Sequence, residues 1–214
     1  FALRTIEEEK KYEQVIFRYL NGDDLNTSPF QSPSRWVINF HNWDELYCRK
    51  NFPKCYDIIV QTVKPIRNND NRKSYRDYWW QYAEKRPKLY DTIKDINRVL
   101  IISRRSKYVV FNFIPKGFVY SEATVVLALD RNYFFSILSS SLHDVWAWKY
   151  GGTLGSVTIA YNPSRIFDSF PFPENVNHDI ENEIDSIGQE YNDTRKRLMK
   201  SLESGITKIY NHFH

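Results

Sequence analysis

The sequence predicts an α+β fold: a small, mostly antiparallel sheet with inserted and flanking helices, an N-terminal linker helix and a long C-terminal helix. Short apolar runs rich in β-branched and aromatic residues, such as 98–103 and 124–129, alternate with segments whose apolar residues recur at helical spacing. Aromatic residues make up 16% of the 214 residues, so Trp, Tyr and Phe are expected to form much of the core. After Pro173, apolar residues repeat about every 3.5 residues, which indicates a long amphipathic helix.

The first half of the chain is predicted to begin with one helix over residues 2–20, which Asn21-Gly22 ends. Pro65 is expected to push Lys64 out of helical geometry. The same kinds of signal predict a loop at 23–33, a strand at 35–40, helices at 43–51 and 56–63, an open cationic loop at 68–74 and a helix at 87–97.

The second half is predicted to hold most of the strands. Residues 104–107 place three cations between two strand candidates, 98–103 and 108–114, and are expected to form a hairpin tip. The glycines of 151–155 are expected to end a helix and open a flexible loop. Further elements are predicted as strands at 124–129 and 157–161, helices at 133–139 and 142–150, and the long helix within 175–214.

Positive charge is concentrated in the middle of the chain. Residues 49–116 contain 17 Lys and Arg against 6 Asp and Glu, a net charge of +11, whereas the rest of the chain carries −7. Such an asymmetry is typical of a domain that presents a surface to a polyanion. The sequence therefore raises the question of whether the chain binds DNA.

Patterns for catalysis or metal binding are weak in this sequence. His41, Cys48 and Cys55 supply only three zinc-type ligands, with no CxxC pair. The run 139–144 (SSSLHD) lacks a GxSxG turn, so its serines are predicted to cap a helix rather than to form a hydrolase triad. The glycines of 151–155 lack the Lys-Ser/Thr of a phosphate loop. We therefore predict neither catalytic residues nor a metal site.

The basic block is better explained as a DNA-binding surface. Long cations in loop-like sequence reach phosphates without burying their charge. Trp79 and Trp80 could stack on bases, but they are predicted to belong to the core. The predicted phosphate contacts are Lys64, Arg67, Arg72, Lys73, Arg76, Arg104, Arg105 and Lys107.

Several motifs in order resemble the target recognition domain of MmeI-like restriction-modification enzymes. They are Asn21-Gly22-Asp23-Asp24-Leu25, the run 35–40, Val63-Lys64-Pro65-x-Arg67, Trp79-Trp80, Ser106-Lys107-Tyr108, the run 137–146 with His143 and Trp146, Tyr161, and Phe167-x-x-Phe170-Pro171-Phe172-Pro173. The resemblance rests on the order of these motifs along the chain. The resemblance implies a linker helix at 1–20 from an upstream methyltransferase domain, a DNA target recognition domain at 21–174 and a C-terminal helical segment at 175–214.

The resemblance also implies what lies elsewhere. Enzymes of this kind carry an (N/D)PP(Y/F/W) motif and an S-adenosylmethionine loop, and this chain contains no Pro-Pro. We therefore expect no cofactor in this segment, with S-adenosylmethionine bound upstream in a bacterial type II adenine-N6 methyltransferase. In the family, base-contacting side chains precede the tyrosine that corresponds to Tyr161. By position these are Ser156, Thr158 and Ala160, with Thr124 as a further contributor.

The chain is expected to work in the bacterial cytoplasm with double-stranded DNA and the upstream methyltransferase domain as partners. No run of about 18 apolar residues exists, which argues against a membrane span. Cys48 and Cys55 have no second pair, as is typical of reduced thiols. The chain opens on Phe1, and we expect it to be cut from a longer polypeptide.

Two alternatives to DNA recognition within restriction-modification remain open at this stage. The chain could be a protein-interaction or assembly module, with the helix over 180–209 as its docking element. It could also be a recognition module of a phage-defence methyltransferase outside restriction-modification.

Overall fold

The computed structural model describes residues 1–155 and 157–213, and it confirms the α+β class. The helices are α1 (Ala2–Glu8), α2 (Gly22–Thr27), α3 (Glu45–Asn51), α4 (Pro53–Thr62), α5 (Lys64–Asn68), α6 (Lys73–Asp77), α7 (Pro87–Thr92), α8 (Asn132–Leu138), α9 (Ser141–Tyr150), α10 (Pro163–Ile166), α11 (His178–Ser201) and α12 (Ile206–Tyr210), with a 3-10 helix at Lys10–Gln14. The strands are β1 (Ile16–Leu20), β2 (Arg35–Ile38), β3 (Arg98–Ser103), β4 (Arg105–Ser106), β5 (Asn112–Pro115), β6 (Val119–Tyr120), β7 (Thr124–Leu127), β8 (Gly152–Leu154) and β9 (Thr158–Ala160).

The chain divides into two compact units. Unit one comprises Phe1–Tyr19 and Arg35–Pro87, and unit two comprises Leu20–Ser34 and the chain from Lys88 onward. Each unit draws on segments that are distant in the sequence. Among the described residues, no helix is both long and apolar enough to cross a membrane.

Unit one is built around an aromatic core. Strands β1 and β2 pair antiparallel, with Ile16 opposite Ile38, and the ring of Trp43 stacks on that of Phe52 at 5.6 Å between centroids. Cys48 and Cys55 are free and buried in the same core. Burial raises the pKa of the Cys48 thiol to about 11 and that of Cys55 to about 12, so both are neutral packing groups at pH 7.

Unit two contains a three-stranded antiparallel sheet in the order β5-β3-β7. Its central strand, β3, is buried on both faces, since Leu100 and Ile102 belong to one apolar cluster and Val99 and Ile101 to another. Consecutive side chains of a strand point to opposite faces, which explains the continuously apolar run that β3 shows in the sequence.

The long C-terminal helix α11 is part of unit two and packs on α8. Gly188 lies at the crossing, because a Cβ there would come within 2.3 Å of the Ser136 hydroxyl and 2.5 Å of the Asn132 carbonyl oxygen. Arg195 donates from Nη2 to the Phe111 carbonyl at 2.6 Å and to Asn112 Oδ1 at 3.0 Å. The long C-terminal helix predicted from the 3.5-residue repeat is confirmed.

Several predictions of local structure need correction. The loop predicted at 23–33 begins inside helix α2, which Asn21 caps. Lys64, expected to leave helical geometry before Pro65, is the first residue of α5, where a proline near the helix start is tolerated. The helix predicted over 2–20 is helical as α1 but continues into a strand, β1. The loop predicted at 68–74 is shorter than expected, because α5 ends at Asn68 and α6 begins at Lys73, which leaves 69–72 between them. The hairpin tip predicted at 104–107 contains a strand of its own, β4, which pairs with β9 rather than closing a hairpin.

Candidate nucleic-acid interface

A second small sheet of unit two, in the order β4-β9-β8, brings predicted contact residues together. Ala160 of β9 lies opposite Arg105 of β4 and Gly152 of β8, and Thr158 lies opposite Leu154. Residues paired directly across an antiparallel sheet point to the same face. We call the surface formed by Arg105, Leu154, Thr158 and Ala160 the outer face.

The outer face combines one cation with small, partly exposed side chains. Arg105 and Leu154 are exposed, while Thr158 and Ala160 are half-buried. Ile159, between them, points the other way and is buried in the core of unit two. A Thr hydroxyl can donate or accept a hydrogen bond, and Arg can bind guanine through two hydrogen bonds, so the face has the groups needed to contact base edges.

A buried aromatic cluster supports β9 from behind. The hydroxyl of Tyr161 lies 3.1 Å from Nε2 of His143, and Phe170 packs edge-on against the His143 ring at 4.8 Å between centroids. Burial lowers the pKa of His143 to about 4, so the imidazole is neutral at pH 7. Burial also raises the pKa of Tyr161 far above its ordinary value. Both side chains therefore act as neutral packing and hydrogen-bonding groups.

Two glycines fix the path of β8. At Gly151 a Cβ would lie 2.6 Å from the Ala147 carbonyl oxygen and 3.2 Å from Cδ1 of Ile159, so a larger residue would push the strand away from the helix. Gly155 has a φ of +65°, a value that favours glycine, in the turn between β8 and β9. The segment predicted as a flexible glycine loop is instead a hairpin that includes β8.

Thr124 and Ser156 are the other two predicted base contacts. Thr124 is buried, with only 1% of its surface exposed, and its hydroxyl donates to the Ser121 carbonyl at 2.7 Å. The structure thus presents no surface for a base at Thr124. Ser156 lies outside the described residues.

Five of the predicted phosphate contacts lie in unit one and form what we call the cation cluster: Lys64, Arg67, Arg72, Lys73 and Arg76. Contrary to the loop prediction, Lys64 and Arg67 lie in α5, Lys73 and Arg76 lie in α6, and Arg72 is the residue before α6.

Aromatic rings hold several of these cations in place. Nζ of Lys64 lies 4.5 Å from the centre of the Trp79 ring, and the guanidinium of Arg67 lies 4.6 Å from that of Tyr75. Arg72 donates to the Tyr75 hydroxyl at 2.7 Å. Such cation–π contacts limit the number of side-chain conformations, and the exposed edges of the guanidinium groups keep their capacity to bind an anion.

The tandem tryptophans belong to the core of unit one, as predicted. Trp79 is 6% exposed, and the indole of Trp80 donates to the Trp43 carbonyl at 2.9 Å. Base stacking by this pair would require its removal from the core.

The remaining predicted phosphate contacts lie in unit two and are exposed. The backbone of Arg104 is held on both sides, because its N–H donates to the Ala123 carbonyl and its carbonyl accepts from Tyr161. Nζ of Lys107 donates to Oδ1 of Asn211 at 2.6 Å. Phosphate contact by all eight of these cations stays a prediction.

A cleft in unit two was not predicted from the sequence. It has a volume of about 530 Å³, and it is lined by Lys107, Tyr108, Ser140, Trp148, Val157 and Tyr191, among others. The aromatic residues come from four distant segments, so no local pattern could have indicated it. Beside it, the serine-rich run caps a helix as predicted, since the Ser140 hydroxyl accepts from the backbone N–H of His143 at 3.3 Å.

A family model described as the MmeI target recognition domain matches residues 2–174. The chain belongs to this family. It is thus a target recognition domain, as the order of its motifs predicted. No curated protein matches it in a sequence search.

A solved structure of similar fold agrees with the family match. It is described as the type IIL restriction-modification enzyme MmeI in complex with DNA, and it matches with a TM-score of 0.65 at 17% sequence identity. The match covers 87% of this chain but 24% of the MmeI chain, so this chain spans about a quarter of that protein's length.

The motifs that carry the resemblance have a structural role in the target recognition domain. The ring of His143 contacts those of Tyr161 and Phe170 behind β9, and Trp146 packs against Phe170 at 5.9 Å between ring centroids. These residues hold the strand whose opposite face carries Thr158 and Ala160. The motifs that carry the resemblance therefore include the support of the outer face.

Proposed function

We propose that this chain selects the DNA sequence on which a bacterial type II restriction-modification adenine-N6 methyltransferase acts. The outer face contacts base edges in duplex DNA, and here Arg105 is proposed to contact a base edge rather than the phosphate expected from the sequence. The cation cluster, with Arg104 and Lys107, binds backbone phosphates. The observation that carries the proposal is the strand register that sets Arg105, Thr158 and Ala160 side by side on a partly exposed face.

Three further observations support the proposal. The family is one of target recognition domains. The fold is shared with a protein solved in complex with DNA. The central block of the sequence carries a net charge of +11, which suits a polyanion.

The chemistry of methyl transfer is proposed to lie outside this chain. No Pro-Pro occurs in it, so a catalytic (N/D)PP(Y/F/W) motif is absent. We propose that an upstream domain binds S-adenosylmethionine and methylates adenine in the cytoplasm, while this domain places the correct sequence before it. Sequencing the gene upstream of Phe1 tests this part directly, since the motif must be encoded there.

The DNA-recognition part is tested by selection from a randomised duplex library. The wild-type chain is expected to enrich one consensus sequence and to lose affinity steeply as salt increases. Recovery of unenriched DNA, or binding that does not change between 50 mM and 200 mM salt, would contradict the proposal.

A matched pair of variants separates the two kinds of contact within this test. Thr158→Asn is expected to change the consensus at one or two positions, because it alters the outer face alone. Arg104→Ala is expected to leave the consensus unchanged and to weaken binding to every sequence. Equal effects of both variants on all sequences would contradict the assignment of base contact to Thr158.

A further inference from the structure

Helix α11 has one face that the fold uses and another that it leaves exposed. Gly188, Asn192, Arg195 and Met199 are buried against the rest of unit two. This buried face is largely polar. The apolar residues of the helix lie mostly elsewhere, which is the reverse of the usual arrangement for a helix on a domain surface.

The exposed apolar residues of α11 form a line at heptad spacing. Ile180 is 51% exposed, Ile187 is 55% exposed and Leu198 is 37% exposed. Tyr191 is 39% exposed, with one side of its ring stacked on Phe135 at 5.8 Å and its hydroxyl bonded to that of Tyr210. The separations of 7, 4 and 7 residues along the line place its four members on one side of the helix. We call these four residues the apolar stripe. Over 24 residues the helix is about 36 Å long, enough for three heptads.

The charges of α11 are divided between its two ends. Residues 178–193 carry six Asp and Glu and no Lys or Arg, whereas residues 194–201 carry four Lys and Arg and no Asp or Glu. Two parallel copies of such a helix would set like charges together. Two antiparallel copies would set the acidic end of each against the basic end of the other.

We propose that the apolar stripe is a self-association surface, on which α11 of a second copy of this chain packs antiparallel. This goes beyond DNA recognition and does not depend on it, and α11 begins after the family match ends at residue 174. The partner is a second copy because the stripe and its flanking charges are complementary to themselves.

One antiparallel register satisfies both the apolar and the charged residues. It packs Ile180 of each copy against Leu198 of the other, and Ile187 against Tyr191. The same register places the exposed Glu183 opposite the exposed Arg197. It also brings the two Glu190 side chains near each other at the two-fold axis, where their like charges weaken the dimer.

Sedimentation equilibrium of the 214-residue chain from about 5 to about 500 µM tests the proposal. A small interface between two helices is expected to dissociate at roughly micromolar concentrations. We expect a monomer–dimer equilibrium within this range. Ile187→Glu is expected to weaken dimerisation at least about tenfold, by placing a charge in an apolar contact. The matched control is Leu46→Glu on α3, a similarly exposed residue at 73% outside α11, which should leave the equilibrium unchanged.

Charge reversal tests the identity of the partner. Glu183→Lys and Arg197→Glu should each weaken self-association, whereas a mixture of the two variants should form a heterodimer, because each copy then carries charges opposite to those it faces. Glu190→Gln should tighten the dimer a few-fold, by removing the repulsion at the axis.

Circular dichroism and thermal unfolding verify that each variant is folded. A wild-type chain that stays monomeric to 500 µM would overturn the proposal. A dimer that is unaffected by Ile187→Glu, or single charge variants whose mixture does not associate, would overturn it as well, since the contact would then lie elsewhere or have another register.

Discussion

The cation cluster and the outer face show two ways of preparing a protein surface for DNA. In the cation cluster, long charged side chains rest on aromatic rings, as Arg67 does on Tyr75 at 4.6 Å. On the outer face, the side chains of Thr158 and Ala160 are short, and the buried residue Ile159 fixes the strand that carries them. A long cation finds a phosphate in many geometries, whereas a hydroxyl distinguishes bases only from a fixed position. The small residues of the outer face therefore need a rigid support, and the buried aromatic cluster behind β9 provides it.

The largest expected effect comes from removing the support of the outer face. Ile159→Ala deletes a side chain that is 1% exposed and should lower the free energy of unfolding by about 2–4 kcal/mol. Urea denaturation followed by tryptophan fluorescence measures this loss. A decrease below about 1 kcal/mol would mean that β9 is not held by the core.

Protonation of His143 at low pH should lower the free energy of unfolding. Its folded-state pKa of about 4 lies below its ordinary value of 6.5 because the ring is buried. The unfolded chain therefore binds a proton first as pH falls, so the contribution of His143 to stability is complete above pH 6.5 and is lost as pH falls towards 4. The loss amounts to up to about 3 kcal/mol.

The measurement for His143 is the urea midpoint of the wild type and of His143→Gln between pH 7 and 4.5. Over this interval the wild type should lose stability more steeply than the variant. Parallel curves for the two proteins would show that the imidazole does not titrate as described.

Replacing Thr158 by valine tests base contact with little change of shape. Thr158→Val removes one hydroxyl and should reduce discrimination at one base position by about 1–3 kcal/mol, with little change in binding to unrelated DNA. Competition binding with single-position variants of the selected consensus measures it. Thr153→Val is the matched control, because Thr153 lies opposite Ile159 and so points to the other face of the sheet. An equal effect of both substitutions would contradict the outer face as the contact surface.

The smallest effect is expected in the cation cluster, one residue at a time. Arg67→Ala should weaken binding to all DNA sequences a few-fold and reduce the salt slope by about 0.9. Fluorescence anisotropy at several salt concentrations measures the slope. Lys10→Ala, an exposed cation outside the predicted set, is the control. A change in the consensus produced by Arg67→Ala would contradict the assignment of Arg67 to phosphate contact alone.

Local signals predicted much of the fold because they depend on neighbours in the sequence. The strand at 98–103 matches β3 in both bounds, the helix predicted from residue 87 begins at Pro87, and a helix ends before Gly151 as expected. The strand β1 was missed because its residues, Ile16–Leu20, also fit helical spacing, and pairing with β2 decides between the two. Tertiary pairing likewise makes Arg105–Ser106 a strand.

The candidate site was predicted in its residue types but not in its arrangement. The order of the motifs indicated the family and, by position, Thr158 and Ala160. The placement of Arg105 beside Ala160 follows from a register between segments about 55 residues apart, which no local pattern contains. The burial of Thr124 also depends on pairing, since it lies opposite Ser103 in the central sheet.

The most direct test of the division between the two surfaces is one library selection carried out in parallel with the wild type, Thr158→Val and Arg67→Ala. We predict that Thr158→Val alters the consensus at a single position at nearly unchanged overall affinity, and that Arg67→Ala yields the wild-type consensus at reduced affinity. An unchanged consensus with Thr158→Val, or an altered one with Arg67→Ala, would contradict the account.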